Sequence, residues 1–346
     1  MTTQNSTRTE HDSLGPRLVP TDALYGAQTS RSIENFRLSG APMPIEIIHG
    51  MALLKLACAR ANARLGLLPA NKEKAIADAC RAVLSGAHDR EFPVDVYQAG
   101  SGTSSHMNLN EVLANLANEA LGGARGAKAP VHPNDDVNMG QSTNNLFPSG
   151  AKIAVLGQTL LLLDALAALE KSLRAKAAEF AGILKTGRTH LQDAVPVTLG
   201  QEFGAYAHAI GLAAARIRDA AARLRELGAG GNAVGTGINT KPAFRAEIMQ
   251  ALNEETGDSF RVAEDGLHLT QFMTDFAHVS AAFRSCALDL QQISGNLRLL
   301  ASGPLTGIGE IRLPPVEPGS SIMPGKINPS ICEAVAMVAM QVQGLD

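Results

Sequence analysis

The longest helical pattern in the chain is PSGAKIAVLGQTLLLLDALAALEKSLRAKAAEF, residues 148–180. It is rich in alanine and leucine, which favour helices, and a helix of about 33 residues would span about 50 Å. Residues 196–227 and 267–301 show the same helical pattern. Because helices of that length rarely stand alone in a compact domain, the three stretches predict a bundle whose apolar stripes pack on one another.

The third of these stretches is apolar on more than one side. Phe272, Phe276, Val279 and Phe283 form a stripe at helical spacing. The apolar residues elsewhere around the helix include Met273, Leu288 and Leu290. A helix that is apolar on several sides needs several apolar neighbours, so this pattern indicates partner helices from other subunits.

The first part of the chain has a different pattern, with a polar stretch and shorter predicted helices. Residues 1–43 have the composition of a polar tail and an irregular arm, whereas residues 44–67 show helical spacing. A second helix is predicted over residues 71–84, with Asn71 as its cap, and a third over residues 108–121. The N-terminal part is therefore predicted to be mostly helical.

These patterns predict two domains in an all-α fold. The first is a smaller N-terminal domain over residues 1–141, and the second is a central helical bundle over residues 142–346. Alternating strand patterns are confined to short pieces such as residues 308–313. The glycine-rich residues 228–237 follow a predicted helix rather than a strand, which argues against a dinucleotide-binding turn.

Composition narrows the classes of function. The formal net charge of -3 indicates no basic surface for nucleic acid, so an anionic ligand would need a local site. The most apolar run, residues 153–169, is interrupted by Gln158 and Asp164, which argues against a membrane span. The first ten residues lack an apolar signal core. We therefore expect a cytoplasmic protein.

Cysteine usage agrees with that compartment. The chain has four cysteines and no Cys-x-x-Cys pair. They are Cys58, Cys80, Cys286 and Cys332. We expect reduced thiols and no metal site.

Residues 319–329, GSSIMPGKINP, form a predicted loop whose side chains are suited to binding or catalysis. A helical pattern over residues 330–343 follows it. It combines two adjacent hydroxyls with Lys326 beside a helix N-terminus, which is a natural anion site. A nucleotide-binding P-loop is excluded because five residues separate the glycines and Ile327 follows the lysine. From composition alone, a surface linker remains possible.

Four other polar segments precede predicted helices or turns. They are SGTSSHMN (residues 101–108), HPNDDVN (132–138), QSTNN (141–145) and GRTHLQDA (187–194). Hydroxyl and amide side chains at such positions can serve only as caps or turn formers. His190, in the last segment, could be structural, but histidine titrates near neutral pH and suits acid–base work.

Together the five segments resemble the motifs of the fumarase/aspartase superfamily in its class II fumarase form, and the resemblance extends over nearly the whole chain. It implies a long-helix bundle and a homotetramer in which each active site draws residues from three subunits. It also implies a small dicarboxylate substrate, no cofactor and no metal. The implied reaction is the reversible hydration of fumarate to (S)-malate through an aci-carboxylate intermediate.

The resemblance also assigns roles to residues. Ser320 would be the base that removes the C3 proton, and His190, paired with Glu333 of another subunit, would handle the proton of the water. The implied substrate-binding residues are Ser101, Gly102, Thr103, Ser142, Thr143, Asn144, Thr189, Ser321, Lys326 and Asn328. A second, peripheral carboxylate site would be formed by His132, Asn134 and Asp135.

Three positions depart from the family pattern. His106 stands where fumarases usually have Asn, Met139 where many have Lys, and Asn145 where the family usually has Asp. The alternatives are an aspartase-type ammonia-lyase and a non-catalytic homologue. His190, Gly325 and Asp136 favour the hydratase over the ammonia-lyase.

Family members normally continue beyond the position of Asp346. We therefore expect this sequence to be a fragment of a longer protein, with the bundle incomplete and a small C-terminal domain absent.

Overall fold

The computed structural model describes residues 6–346 and is predominantly helical, with three small two-stranded sheets in that range. The all-α class is therefore confirmed. The chain forms two compact units. The first combines the residues up to Gly157 with Leu224–Met273, and the second combines Gln158–Arg223 with Thr274–Asp346. The boundary between residues 141 and 142 stays a prediction.

The described part of the chain begins with a hairpin that the sequence did not reveal. β1 (Thr7–Asp12) pairs antiparallel with β2 (Gly15–Pro20), and α1 (Ala27–Asn35) follows. The predicted irregular arm is therefore wrong for residues 7–12, 15–20 and 27–35, and residues 1–5 lie outside the described range. The hairpin is held by a polar core, since Arg8 binds Glu10 and the carbonyl oxygens of Pro20, Ala23 and Tyr25. These contacts order a segment with few apolar residues.

The predicted N-terminal helices are present. They are α2 (Ile45–Arg64), α3 (Ala70–Leu84) and α4 (Thr103–Ala120). α4 begins five residues before the predicted start at residue 108. Asn71 does not cap α3, because Pro69 holds the cap position and no side chain caps the helix.

These helices enclose the apolar core of the first unit. Ile48 and Met51 of α2, Ile76 of α3, and Leu109 and Leu113 of α4 are almost completely buried within it. Because the three helices pack around this core, the N-terminal end of α4 is held in place.

α5 (Thr143–Glu179) is the long helix predicted from residue 148, but it starts five residues earlier and contains Pro148. Within the first unit it approaches α2 at two glycines. A Cβ atom on Gly50 would lie 2.1 Å from the carbonyl oxygen of Gly150. The absence of side chains at both positions therefore permits the close crossing of α2 and α5.

A second hairpin follows, formed by β3 (Leu184–Thr189) and β4 (Gln192–Thr198), and leads into α6 (Leu199–Ala221). The helix predicted over residues 196–227 is therefore too long at both ends. Thr198 sets the start of α6, since its hydroxyl accepts the N–H of Gln201 while the Gln201 side chain accepts the N–H of Thr198. This reciprocal capping box ends the strand and begins the helix.

The chain then returns to the first unit. β5 (Glu226–Leu227), α7 (Phe244–Thr256), β6 (Arg261–Val262) and α8 (Gly266–Gln271) follow in order, and β5 and β6 pair in parallel. The glycine-rich residues 228–237 follow β5 directly, not a helix as the sequence suggested.

The last two helices belong to the second unit. They are α9 (Thr274–Leu300) and α10 (Ser330–Leu345). The helix predicted over residues 267–301 is two helices, because the backbone of Phe272 is extended and separates α8 from α9. The strand pattern at residues 308–313 was also wrong, since the backbone there is irregular.

The core of the second unit lies between α5, α6 and α9. Leu166, Ile210, Ile217, Cys286 and Ile293 are buried there. All four cysteines are free thiols, as expected.

By length and composition, α5 could cross a membrane, and it is the one such helix within residues 6–346. The expectation that this run is too polar for a span is therefore wrong on composition. A single helix of this kind is weak evidence for a membrane protein, because core helices of soluble proteins pass the same test.

Candidate active site

The first predicted binding segment forms the start of α4. Gly102 holds the cap position in a left-handed conformation with φ of 80°, and a Cβ atom there would lie 2.5 Å from the ring of Phe147. The hydroxyls of Ser101 and Thr103 are exposed and lie 2.7 Å apart. Ser104 and Ser105 are buried within α4, and Thr103 is its first residue, so of the four hydroxyls in this segment only that of Ser101 precedes the helix.

The second binding segment forms the start of α5. The Ser142 hydroxyl accepts the backbone N–H of Asn144 at 3.3 Å, which satisfies one of the free N–H groups of the helix end. The Asn144 amide donates to the carbonyl oxygen of Ala233 at 2.8 Å. The glycine-rich loop after β5 therefore supports this predicted binding residue.

The side chain of His106 joins the starts of α4 and α5. In the sequence, this residue was noted only as a departure from the family pattern. Nδ1 of His106 lies 2.7 Å from Oγ1 of Thr143. Both residues lie in the first unit, and His106 is 1% exposed. The structure thus connects Thr143 to α4 through a buried imidazole.

Lys55 and Asn138 were not predicted as site residues. Lys55 is completely buried, and its ammonium donates to Oδ1 of Asn138 at 2.7 Å. Burial lowers the pKa of Lys55 to about 7, and burial together with the charge of Lys55 holds the pKa of His106 well below its usual value. One signal was available, since Lys55 is a lone charge in the apolar run LLKLAC of residues 53–58.

The predicted peripheral site is a compact turn. The imidazole Nδ1 of His132 accepts the backbone N–H groups of Asn134 and Asp135, each at 3.2 Å. Nδ1 also lies 3.4 Å from a carboxylate oxygen of Asp135. Asp136 accepts the backbone N–H of His132 and forms an ion pair with Lys72 at 2.8 Å, which braces the turn. The three predicted residues therefore lie together.

In the second unit, Thr189 and His190 lie at the tip of the β3–β4 hairpin. Thr189 pairs with Gln192, so His190 and Leu191 form a two-residue turn, with φ of 53° and 62°. Turns with both central residues at positive φ match the twist of a hairpin but usually contain Asn and Gly. The His190 imidazole is exposed at this tip.

The loop of residues 319–329 holds Ser320 in a defined environment. Oγ of Ser320 accepts the backbone N–H groups of Met323 at 3.0 Å and Ile322 at 3.3 Å. The Asn328 amide donates to the carbonyl oxygen of Gly319, which closes the loop. Ser321 and Lys326 are exposed.

Glu333 lies in the first turn of α10 and is exposed. Within residues 6–346, no hydrogen bond or ion pair joins Glu333 to His190, and no group of three His, Cys, Asp or Glu side chains could hold a metal ion. A pairing of Glu333 with His190 from another subunit stays a prediction.

Comparison with known proteins gives consistent matches. The lyase family model matches residues 15–344. The chain is similar to the class II fumarate hydratases of Photorhabdus laumondii (47% identity, 99% of this chain, 74% of the relative) and Xylella fastidiosa (48%, 99%, 72%). Its structure is similar to the class II fumarase of Schistosoma mansoni, with a TM-score of 0.95 and 38% identity over 98% of this chain and 74% of that one. The chain spans about three quarters of these relatives.

Proposed function

The chain belongs to the lyase family that includes the class II fumarate hydratases, and from this premise we propose that it catalyses the reversible hydration of fumarate to (S)-malate. The substrate is a small dicarboxylate, and the enzyme is a hydro-lyase. We place it in the cytoplasm, in the tricarboxylic acid cycle.

The difficulty of this reaction is electrostatic. Removing the C3 proton of malate places a second negative charge on the neighbouring carboxylate, and the resulting dianion needs preorganised donors. The candidate donors are Lys326, Asn328, Asn144 and Thr189, together with the N-terminal ends of helices. Ser101, Gly102, Thr103, Ser142, Thr143 and Ser321 would bind the substrate carboxylates.

Ser320 is the proposed base, and one observation supports this role above the others. A serine hydroxyl is a weak base unless its oxyanion is stabilised, and Oγ of Ser320 already accepts two backbone N–H groups. Hydrogen bonds to a charged form favour that form. Lys326, in the same loop, would add a positive charge once substrate is bound.

His190 would exchange a proton with the departing or attacking water, and Glu333 of another subunit would orient its imidazole. The exposed position of His190 at a hairpin tip is compatible with a role in a neighbouring subunit's site. We therefore propose a homotetramer with sites shared by three chains. His132, Asn134 and Asp135 would form a peripheral carboxylate site.

The test follows the ultraviolet absorbance of fumarate with malate or aspartate supplied to the purified protein. Production of fumarate from malate alone supports the proposal, whereas production from aspartate alone would identify an ammonia-lyase. No signal from either substrate with a folded tetramer would contradict both activities.

Substitutions then test the residue roles. Ser320→Ala and His190→Asn should each lower kcat by about 10²-fold or more if the residues act in proton transfer. Ser302→Ala is a matched control, because Ser302 also lies in a loop of the second unit and accepts a backbone N–H, that of Ile308 at 3.1 Å. Near-normal turnover by Ser320→Ala would remove the base assignment.

A further inference from the structure

The two ring nitrogens of His106 have different surroundings, and the proposed reaction assigns no role to this residue. Nδ1 of the imidazole meets the Thr143 hydroxyl, but Nε2 is buried and has no hydrogen-bond partner within the described residues. A buried polar atom without a partner is costly, so its presence needs a reason.

The surroundings of His106 keep its ring neutral. The side chain is almost completely buried, and the ammonium of Lys55 lies close enough for its charge to lower the imidazole pKa further. The Asn138 side chain also interacts with the imidazole and partly opposes this lowering of the pKa, while its Oδ1 accepts the Lys55 ammonium. A neutral imidazole carries one hydrogen, on either Nδ1 or Nε2, and the two tautomers affect Thr143 differently.

If Nε2 carried the hydrogen, Nδ1 would accept the Thr143 hydroxyl hydrogen, and the buried N–H would have no acceptor other than Asn138, whose Oδ1 already accepts from the Lys55 ammonium at 2.7 Å. If Nδ1 carries it, the imidazole donates to Oγ1 of Thr143, and only a lone pair is left unpaired. Unpaired buried donors are rarer in proteins than under-satisfied acceptors, and a nearby ammonium stabilises a lone pair. Both considerations favour the Nδ1–H tautomer.

We propose that His106 is a positioning residue for substrate binding: its neutral imidazole donates from Nδ1 to Oγ1 of Thr143 and leaves the hydroxyl hydrogen of Thr143 free for a substrate carboxylate oxygen. This inference rests on the proposed function, because Thr143 is a proposed ligand of the dicarboxylate. His106 itself acts only through Thr143. The Asn usual at this position in fumarases also has a side-chain N–H to donate.

A double-mutant cycle tests the inference. His106→Ala should raise KM for malate about tenfold with a smaller change in kcat, since a hydrogen bond to a charged group is lost or misdirected. In a Thr143→Ala background, the same change should add little, because the two residues act as a unit. His106→Asn should restore most of the affinity. Additive effects on KM, or an unchanged KM in His106→Ala, would overturn the proposal.

A second measurement does not depend on activity. Nitrogen-15 NMR of the histidine-labelled protein, with His106→Asn used to assign the signal, reports which ring nitrogen carries the hydrogen. We expect Nδ1–H at neutral pH, and Nε2–H would overturn the proposal even if His106→Ala failed to fold. If the unmodified protein does not convert malate, the proposed function fails, whereas an active protein with an additive cycle means that only this inference fails.

Discussion

Lys55 shows at the scale of one residue how burial turns a charge into a pH-dependent cost. Its pKa is about 7 in the folded protein, compared with 10.5 for an ordinary lysine. Below pH 7 both folded and unfolded chains carry the charge, and the folded chain bears the full cost of desolvation. Between pH 7 and about 10 the folded chain releases the proton while the unfolded chain keeps it, so the stability contribution of Lys55 rises with pH.

Replacing Lys55 with Met should therefore change the pH dependence of stability. Relative to the unmodified protein, the free energy of unfolding of Lys55→Met should be most favourable below pH 7 and should lose up to about 1.4 kcal/mol per pH unit above it. Urea unfolding between pH 6 and 9 measures this difference. Lys74→Met, at an exposed lysine of α3, should give a nearly constant difference. A constant difference for Lys55→Met as well would contradict the depressed pKa.

Gly102 is constrained by both conformation and space. Gly102→Ala should cost about 1–2 kcal/mol for the left-handed backbone and a further 1–3 kcal/mol for the clash with Phe147. Gly122→Ala is the matched control, since Gly122 has φ of 78° and open space around its Cβ position. Urea unfolding of both variants separates the two costs. Equal losses would mean that the Phe147 ring moves away without penalty.

At the scale of elements, the β3–β4 hairpin presents His190 on a turn whose sequence does not suit it. Leu191 has φ of 62° and is 67% exposed, so its side chain contributes strain and little packing. Strained residues often occur at functional sites. The unfavourable turn therefore agrees with a functional role for the hairpin tip, which the activity of His190→Asn would test.

Leu191→Gly should stabilise the protein by about 1 kcal/mol, because glycine adopts positive φ without a steric cost. Thermal or urea unfolding measures the gain. Leu14→Gly is the control, since Leu14 is also exposed in a two-residue hairpin turn but does not have positive φ. A loss of stability in Leu191→Gly similar to that in Leu14→Gly would show that the turn is not strained.

At the scale of the whole molecule, α5 and α10 expose large apolar side chains. They include Leu160, Leu161, Met337, Val338 and Met340. Apolar helix faces of this kind need a covering partner. The proposed homotetramer, with a bundle that combines helices of all subunits, would supply one.

Light scattering during size-exclusion chromatography should give four times the mass of one chain. Val338→Glu on α10 should shift the protein to smaller species and lower malate turnover with it, since each proposed site draws on three chains. Leu38→Glu, at an exposed leucine of the first unit, should leave the mass unchanged. A tetramer that tolerates Val338→Glu would place the interface elsewhere.

Much of the helical framework followed from local patterns. α2, α3, α5 and α9 were predicted within a few residues at one or both ends, because apolar periodicity is a property of the local chain. The same local view missed the β1–β2 hairpin, which is ordered by contacts of Arg8 with residues more than ten positions away. It also missed the break at Phe272, since apolar spacing continues through it.

The candidate site also has some features that follow from the sequence and others that depend on the fold. Residue identity and spacing were enough to predict the family, the helical class and the polar segments with their chemical groups, because these are properties of the local chain. The folded structure was needed to show that Lys55 and His106 are buried, that His106 contacts Thr143, and that two backbone N–H groups donate to Ser320. Burial and hydrogen bonding depend on which remote segments pack together, and for Lys55, Asn138, His106 and Thr143 that packing brings together residues up to 88 positions apart in the chain.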